Sequence, residues 1–415
     1  MAGAEGAGAG TRAGFDQTQT NGPENLAGVA GDRQMAGLDL LRFIAAVMVA
    51  MFHFGFWFSY TGDGAVPASP GLSAATWWGW IGVQIFFVIS GFVIALSAET
   101  RTAGAFIRSR ILRLMPALYV FGFLSFAVLV IYQGVPVGEG LVLLAKSLVL
   151  FPVGPWVDGV YWSLTVEIVF YAAIALLLAF GVFGALGGIV KAGAAASLVL
   201  AALILLADAG AFAPALEHAI ASVRDAYWSR FLLISTAPYF ITGLCLYFLR
   251  RDGVRKDWLA VLVAAIVASE VQIYHWGVRE MPQMAAGATA FVPGAIFALA
   301  VLAMLAVTRG AMNGANMSGG ARRTVRALGL ASYPLYLVHF VTGHMIYAEL
   351  LRQGAPQWPA MAMAIGLCVT VSIVFSMYGE ARLRSKLAAA YDAAAAALWT
   401  LTLARRARPR VSAAE

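Results

Sequence analysis

The chain has 415 residues, of which 61% are hydrophobic and only 12% charged, with a net charge of +7. Soluble globular domains carry about 25% charged residues, so this composition excludes an ordinary soluble enzyme and belongs in lipid. Loop charges facing anionic lipid explain the positive excess better than a nucleic-acid partner does.

Residues 1–35 are Gly/Ala-rich and polar and read as a disordered tail. They lack the apolar core of a signal peptide. Apolar segments near 20 residues, the length needed to cross a ~30 Å hydrocarbon core, then recur. They fall at 38–58, 76–97, 111–131, 161–181, 188–208, 231–250, 257–276, 289–308, 328–350 and 358–379. One further piece, 139–152, is short for a crossing and reads as re-entrant or interfacial. Residues 386–415, with Arg405, Arg406, Arg408 and Arg410, read as a basic cytoplasmic tail. Cys245 and Cys368 lie within apolar spans and offer neither a disulfide framework nor metal-ligand spacing. The expected fold is an all-α integral membrane domain over 36–385 with about ten transmembrane helices.

Loop charge sets the topology. With both termini cytoplasmic, Arg101, Arg108 and Arg110 fall on one side, followed there by Arg250, Arg251, Arg255 and Lys256, and then by Arg309, Arg322, Arg323 and Arg326. That is a positive-inside pattern. An eleventh crossing at 139–152 would put every later basic cluster outside.

The first span, LDLLRFIAAVMVAMFHF, holds Arg42 and His53 eleven positions apart. At about 100° and 1.5 Å per residue they share one helix face, about 16 Å apart. Ionisable groups inside a span usually face a partner, a cavity or a substrate path. Arg42, about 6 Å above the cytoplasmic edge, can also snorkel or pair with Asp39. His53, about 22 Å up, suits either proton transfer or interhelical bonding. In the second span, Gly79, Gly82 and Gly91 permit close helix approach, and Ser90 can add a hydrogen bond. Arg110 and Arg113 stand at i and i+3, a fork for phosphates or ordinary cytoplasmic anchoring. Counted from the start of its span, Glu167 lies about 9 Å below the outer face, so it is expected level with His53. There it would orient a histidine, accept a proton or form a packing ion pair. Pro334 is expected to kink the ninth span, and His339 should lie near mid-membrane.

These fragments run in an order that resembles the acyltransferase-3 family of multispanning membrane acyltransferases. The elements are LDLLRFIAAVMVAMFHF, GVQIFFVISGFVI, RSRILRLMP, WSLTVEIVFY and LGLASYPLYLVH, spanning about residues 37–339. The resemblance implies transfer of an acyl group, often acetyl from cytoplasmic acetyl-CoA, to a hydroxyl of a sugar, polysaccharide, lipid-linked glycan or macrolide. It implies no metal, and a bacterial cytoplasmic membrane as the location. His53 matches the family's essential histidine, and Arg42 its paired basic residue. Arg110 and Arg113 match the arginine motif proposed to hold the CoA phosphates, and Glu167 matches the motif glutamate. Ser90, Asp39 and His339 are secondary candidates. Many members carry a fused extracytoplasmic hydrolase-like domain that this sequence lacks. Completion of transfer is therefore expected from the membrane domain or a separate extracytoplasmic partner. His53 would act as general base with Glu167 orienting it, or form an acyl-histidine. The alternative class is a transporter, but the interruption at Pro334 has no counterpart in the first half of the kind carriers show.

Overall fold

The structure, a computed structural model, describes residues 35–61, 65–311 and 317–407, with side chains to 397. The expected N-terminal tail, apart from Met35, lies outside the described residues. In chain order the helices are α1 (Ala36–Phe52), α2 (Ile81–Ala98), α3 (Ala103–Ile131), α4 (Val137–Leu148), α5 (Tyr161–Ala179) and α6 (Leu186–Asp208). They continue as α7 (Pro214–Asp225), α8 (Tyr227–Phe231), α9 (Ala237–Arg251), α10 (Lys256–Glu280) and α11 (Val292–Thr308). The series ends with α12 (Gly319–Val338), α13 (Val341–Arg352), α14 (Gln357–Val374) and α15 (Glu380–Ala407). Among the described residues there is no strand, and 8 helices are long and apolar enough to cross a membrane. Exposed side chains such as Ile131, Phe180, Leu299 and Val374 give these helices an apolar outer surface, as lipid requires.

Two expected spans fall short of that standard for visible reasons. The sixth starts at Ala237 rather than 231, and α9 has 15 residues. Every residue from Pro238 to Leu249 is buried, the state expected of a helix apolar all round. The ninth carries Arg322, Arg323 and Arg326 in its first turns. It keeps Pro334 inside the helix and breaks at His339–Phe340 instead, before α13. The last span does not stop at 379. A π-turn (Phe375–Gly379) joins it to α15, so residues expected as a tail continue as helix to Ala407.

Glycines set the closest packing. Gly79 and Gly82 lie on the Met48 and Ala45 carbonyls of α1, and Gly91 lies on the Phe240 carbonyl and Gly243 of α9. Helix α2 is thus held between α1 and α9. A side chain at Gly91 would overlap backbone, so G91V is expected to cost about 1–3 kcal/mol by overpacking. Gly71 has nothing within 4 Å, and G71A should leave the melting temperature in detergent unchanged. Equal melting of the two variants would contradict this packing.

The short segment 139–152 does not cross. Helix α4 folds back along α3: Gly140 meets Phe126 and Val130, and Gly122 meets Leu144 and Leu148. Gly122 also meets the Tyr161 hydroxyl at the start of α5. The fourth span therefore begins level with Gly122, nine residues or about 13 Å short of the end of α3.

Candidate active site

Helix α1 and the π-turn that continues it carry the two residues of the polar stripe, and the stripe opens into two cavities. At His53 the helix widens into a π-turn, His53–Trp57, a local distortion frequent at functional sites. The break after α12 brings His339 beside it, with His339 Nε2 3.0 Å from His53 Nδ1. A helix that ends inside the membrane leaves carbonyls in need of donors. His339 supplies one: its Nδ1–H donates to the carbonyls of Tyr336 at 2.9 Å and Leu335 at 3.2 Å.

This capping settles the proton positions. Carbonyls only accept, so His339 Nδ1 bears the hydrogen and neutral His339 Nε2 bears a lone pair. His53 Nδ1 must then be the donor, toward His339 Nε2 and the Val49 carbonyl at 2.9 Å. His53 Nε2 is left as the basic nitrogen. Phe340 sets its edge against the His53 ring, centroids 4.8 Å apart, and fixes the ring plane. His339 is fully buried.

The His53 cavity, about 300 Å³, is also lined by Trp57, Trp80, Gln84, Trp162, Arg230 and Glu280. Toward the Ala36 end of α1, the side that the loop charges assign to the cytoplasm, lies a second chamber containing Arg42, Arg110, Arg113, Glu167, Ser90 and Tyr171. The two share Val83 and Tyr336 as a common wall. The Tyr336 hydroxyl is tied to Ser163 Oγ at 2.7 Å and to the Val160 carbonyl at 3.4 Å. On the opposite side an outer chamber holds Arg224, Asp225, His275 and Arg279, and shares Gln84, Trp162, Arg230 and Trp276 with the His53 cavity. The three spaces form one series across the bundle.

One expectation fails. Glu167 is not level with His53 and does not touch it. It lies in the arginine chamber, where the Ser90 hydroxyl donates to its Oε1 and the Tyr171 hydroxyl donates to the same atom at 2.7 Å. The cause is the folded-back α4, which starts α5 deep. Gly159, Val160 and Trp162, five or more residues before Glu167, are the residues of this stretch that line the His53 cavity. Counting Glu167 from the outer surface therefore placed it too high.

Among the basic residues, Arg42 both faces the chamber and lies 3.6 Å from Asp39. Arg113 pairs with the buried Glu380 at 3.1 Å, and Arg384 pairs with the same carboxylate. Arg108 points away and makes a bidentate pair with Asp392 at 2.8 and 2.7 Å. In the outer chamber burial would raise the Asp225 carboxyl, but Arg224, bonded to it, and nearby Arg279 hold it below the usual carboxylate value.

Sequence reasoning did not single out Tyr336, Trp162, Gln84 or Arg230. The WSLT fragment held Trp162, yet nothing local distinguishes a lining tryptophan from a packing one. Arg230 stood at the edge of an apolar run, where a loop charge is the ordinary reading.

A family model described as an acyltransferase domain matches residues 35–378. No curated protein and no solved structure matches the chain.

Proposed function

The chain belongs to the acyltransferase-3 family and is a membrane acyltransferase, and on that premise we propose that it carries an acyl group, acetyl by preference, from cytoplasmic acyl-CoA to a carbohydrate hydroxyl across a bacterial cytoplasmic membrane. The observation that carries the reading is the series of spaces: a basic chamber, a histidine cavity and an aromatic-lined outer chamber, each sharing walls with the next.

In this reading the CoA phosphates rest on Arg42, Arg110 and Arg113, since guanidinium groups suit phosphate by charge-assisted, often bidentate bonds. Glu167, bonded by Ser90 and Tyr171, offsets part of that positive charge. The pantetheine arm passes Val83 and Tyr336 and brings the thioester to His53. The acceptor hydroxyl attacks the thioester carbonyl carbon while His53 Nε2 takes its proton. As the C–S bond breaks, the imidazolium returns that proton to the CoA sulfur. His339 accepts the His53 Nδ1–H bond throughout, the orienting role a carboxylate fills in a serine-hydrolase triad. A separate extracytoplasmic partner would carry the product onward.

The test is the purified full chain in nanodiscs with labelled acetyl-CoA and a panel of carbohydrate acceptors. Label on an acceptor with equimolar release of CoA is the expected result. Intact acetyl-CoA with every acceptor would overturn the proposal. Under the same assay R110A and R113A should each raise the donor KM by about tenfold or more, with a smaller change in kcat. An unchanged donor KM would remove both arginines from donor binding.

A further inference from the structure

The cations of the outer chamber are paired, with one exception. Arg224 is bonded to Asp225 at 2.8 Å and lies 3.6 Å from Asp208. His275 meets Asp208 at 2.6 Å, and Arg279 meets Asp225 and, at 2.7 Å, Glu280. Arg230 has no carboxylate within ion-pair distance among the described residues. Its guanidinium lies over the Trp162 indole, 5.8 Å from the ring centroid. It is half-buried, and desolvation draws it below its ordinary pKa, opposed by the more distant Glu280. A half-buried charge without an ionic partner carries a desolvation cost unless something compensates it.

The backbone carries this side chain inward on purpose-built geometry. Arg230 sits on the short α8, in a segment folded against the start of α5. The Tyr227 hydroxyl donates to the Pro152 carbonyl at 2.6 Å, and Thr236 Oγ1 donates to the Arg230 carbonyl at 3.0 Å. The turn that follows holds Leu233 at φ 62°, a left-handed conformation that side-chain-bearing residues seldom adopt. The result places one guanidinium in both the outer chamber and the His53 cavity, over Trp162, with Trp276 lining the same two spaces.

We propose that Arg230 is an anion site for the acceptor: the acylated molecule carries a carboxylate or phosphate that Arg230 grips, while its sugar ring lies on the neighbouring indoles and its hydroxyl reaches His53. The inference rests on reading the outer chamber as the acceptor's. A planar guanidinium matches the two oxygens of either anion, and an indole face suits the apolar face of a sugar ring. The two sources of negative charge are a uronic acid and a sugar phosphate, including a lipid-linked one.

Calorimetric titration of the full chain in nanodiscs tests this without turnover, so its failure is separable from a failure of acyl transfer. The probes are methyl β-D-glucuronide, α-D-glucose 1-phosphate and the neutral methyl β-D-glucoside. At least one anion is expected to bind about tenfold or more tighter than the neutral glycoside, and the stronger anion identifies the source. R230Q should erase the preference and R230K should keep part of it, with melting curves confirming that both variants fold. Equal binding of all three probes, or no measurable anion binding, would overturn the proposal. So would a preference that survives in R230Q, because it would assign the anion to the cytoplasmic arginines.

Discussion

The H53A variant is expected to lose acyl transfer by about 10²–10⁴-fold, the usual contribution of a positioned general base, while its protein level stays at wild type. His53 Nε2 is the one nitrogen of the histidine pair that the described hydrogen bonds leave free. Donor binding should persist, because Arg42, Arg110 and Arg113 line a different chamber. Turnover within a few-fold of wild type would remove His53 from the chemistry. Rapid quenching distinguishes two chemistries at the same residue. An acyl-enzyme that accumulates before product would favour an acyl-histidine over direct transfer.

The second large effect belongs to His339, which acts through His53 and is a positioning residue. H339A removes one of the two acceptors of the His53 Nδ1–H, leaving the Val49 carbonyl at 2.9 Å, and loosens the hold on the ring's orientation. Loss of an orienting partner costs from about 10-fold to about 10⁴-fold in known cases. The expected result is a fall in kcat with the donor KM unchanged and a displaced pH–rate profile. The same variant also takes the imidazole donor from the Tyr336 carbonyl, while the Leu335 carbonyl keeps the residue-339 backbone N–H, so its melting temperature should fall. If melting falls but kcat per folded molecule and the pH profile hold, His339 only closes the helix.

The stripe of Arg42 and His53 was readable because helix geometry is local: eleven residues fix both face and rise whatever surrounds them. Arg110 and Arg113 were readable for the same reason. Glu167 was misplaced because its depth depends on where α5 starts, and that depends on α4 folding back onto Gly122, a tertiary event without a hydropathy signature. The contact of His53 with His339 joins residues 286 positions apart, and no spacing rule reaches that far. Pro334 drew attention as the break in its span. The chain instead keeps that helix going and turns five residues later, where a histidine ring can serve the exposed carbonyls. Arg230 stayed hidden because an arginine beside an apolar run looks the same whether its loop lies on the surface or folds inward. The sixth span was drawn too long on that account.

Helix α1 runs unbroken from Ala36 to Phe52 and His53 follows it directly as the first residue of the π-turn, so Arg42 and His53 ride on one continuous rod. No hinge between them can lengthen or shorten the interval. In the proposed reaction the rod works as a gauge: phosphates seated at Arg42 fix how far up the thioester sulfur can stop. Every methylene added to the acyl chain must then project past His53 into the space the acceptor needs. Under that proposal, selectivity for a short acyl group would follow from the stiffness of a helix, without a pocket shaped to measure it.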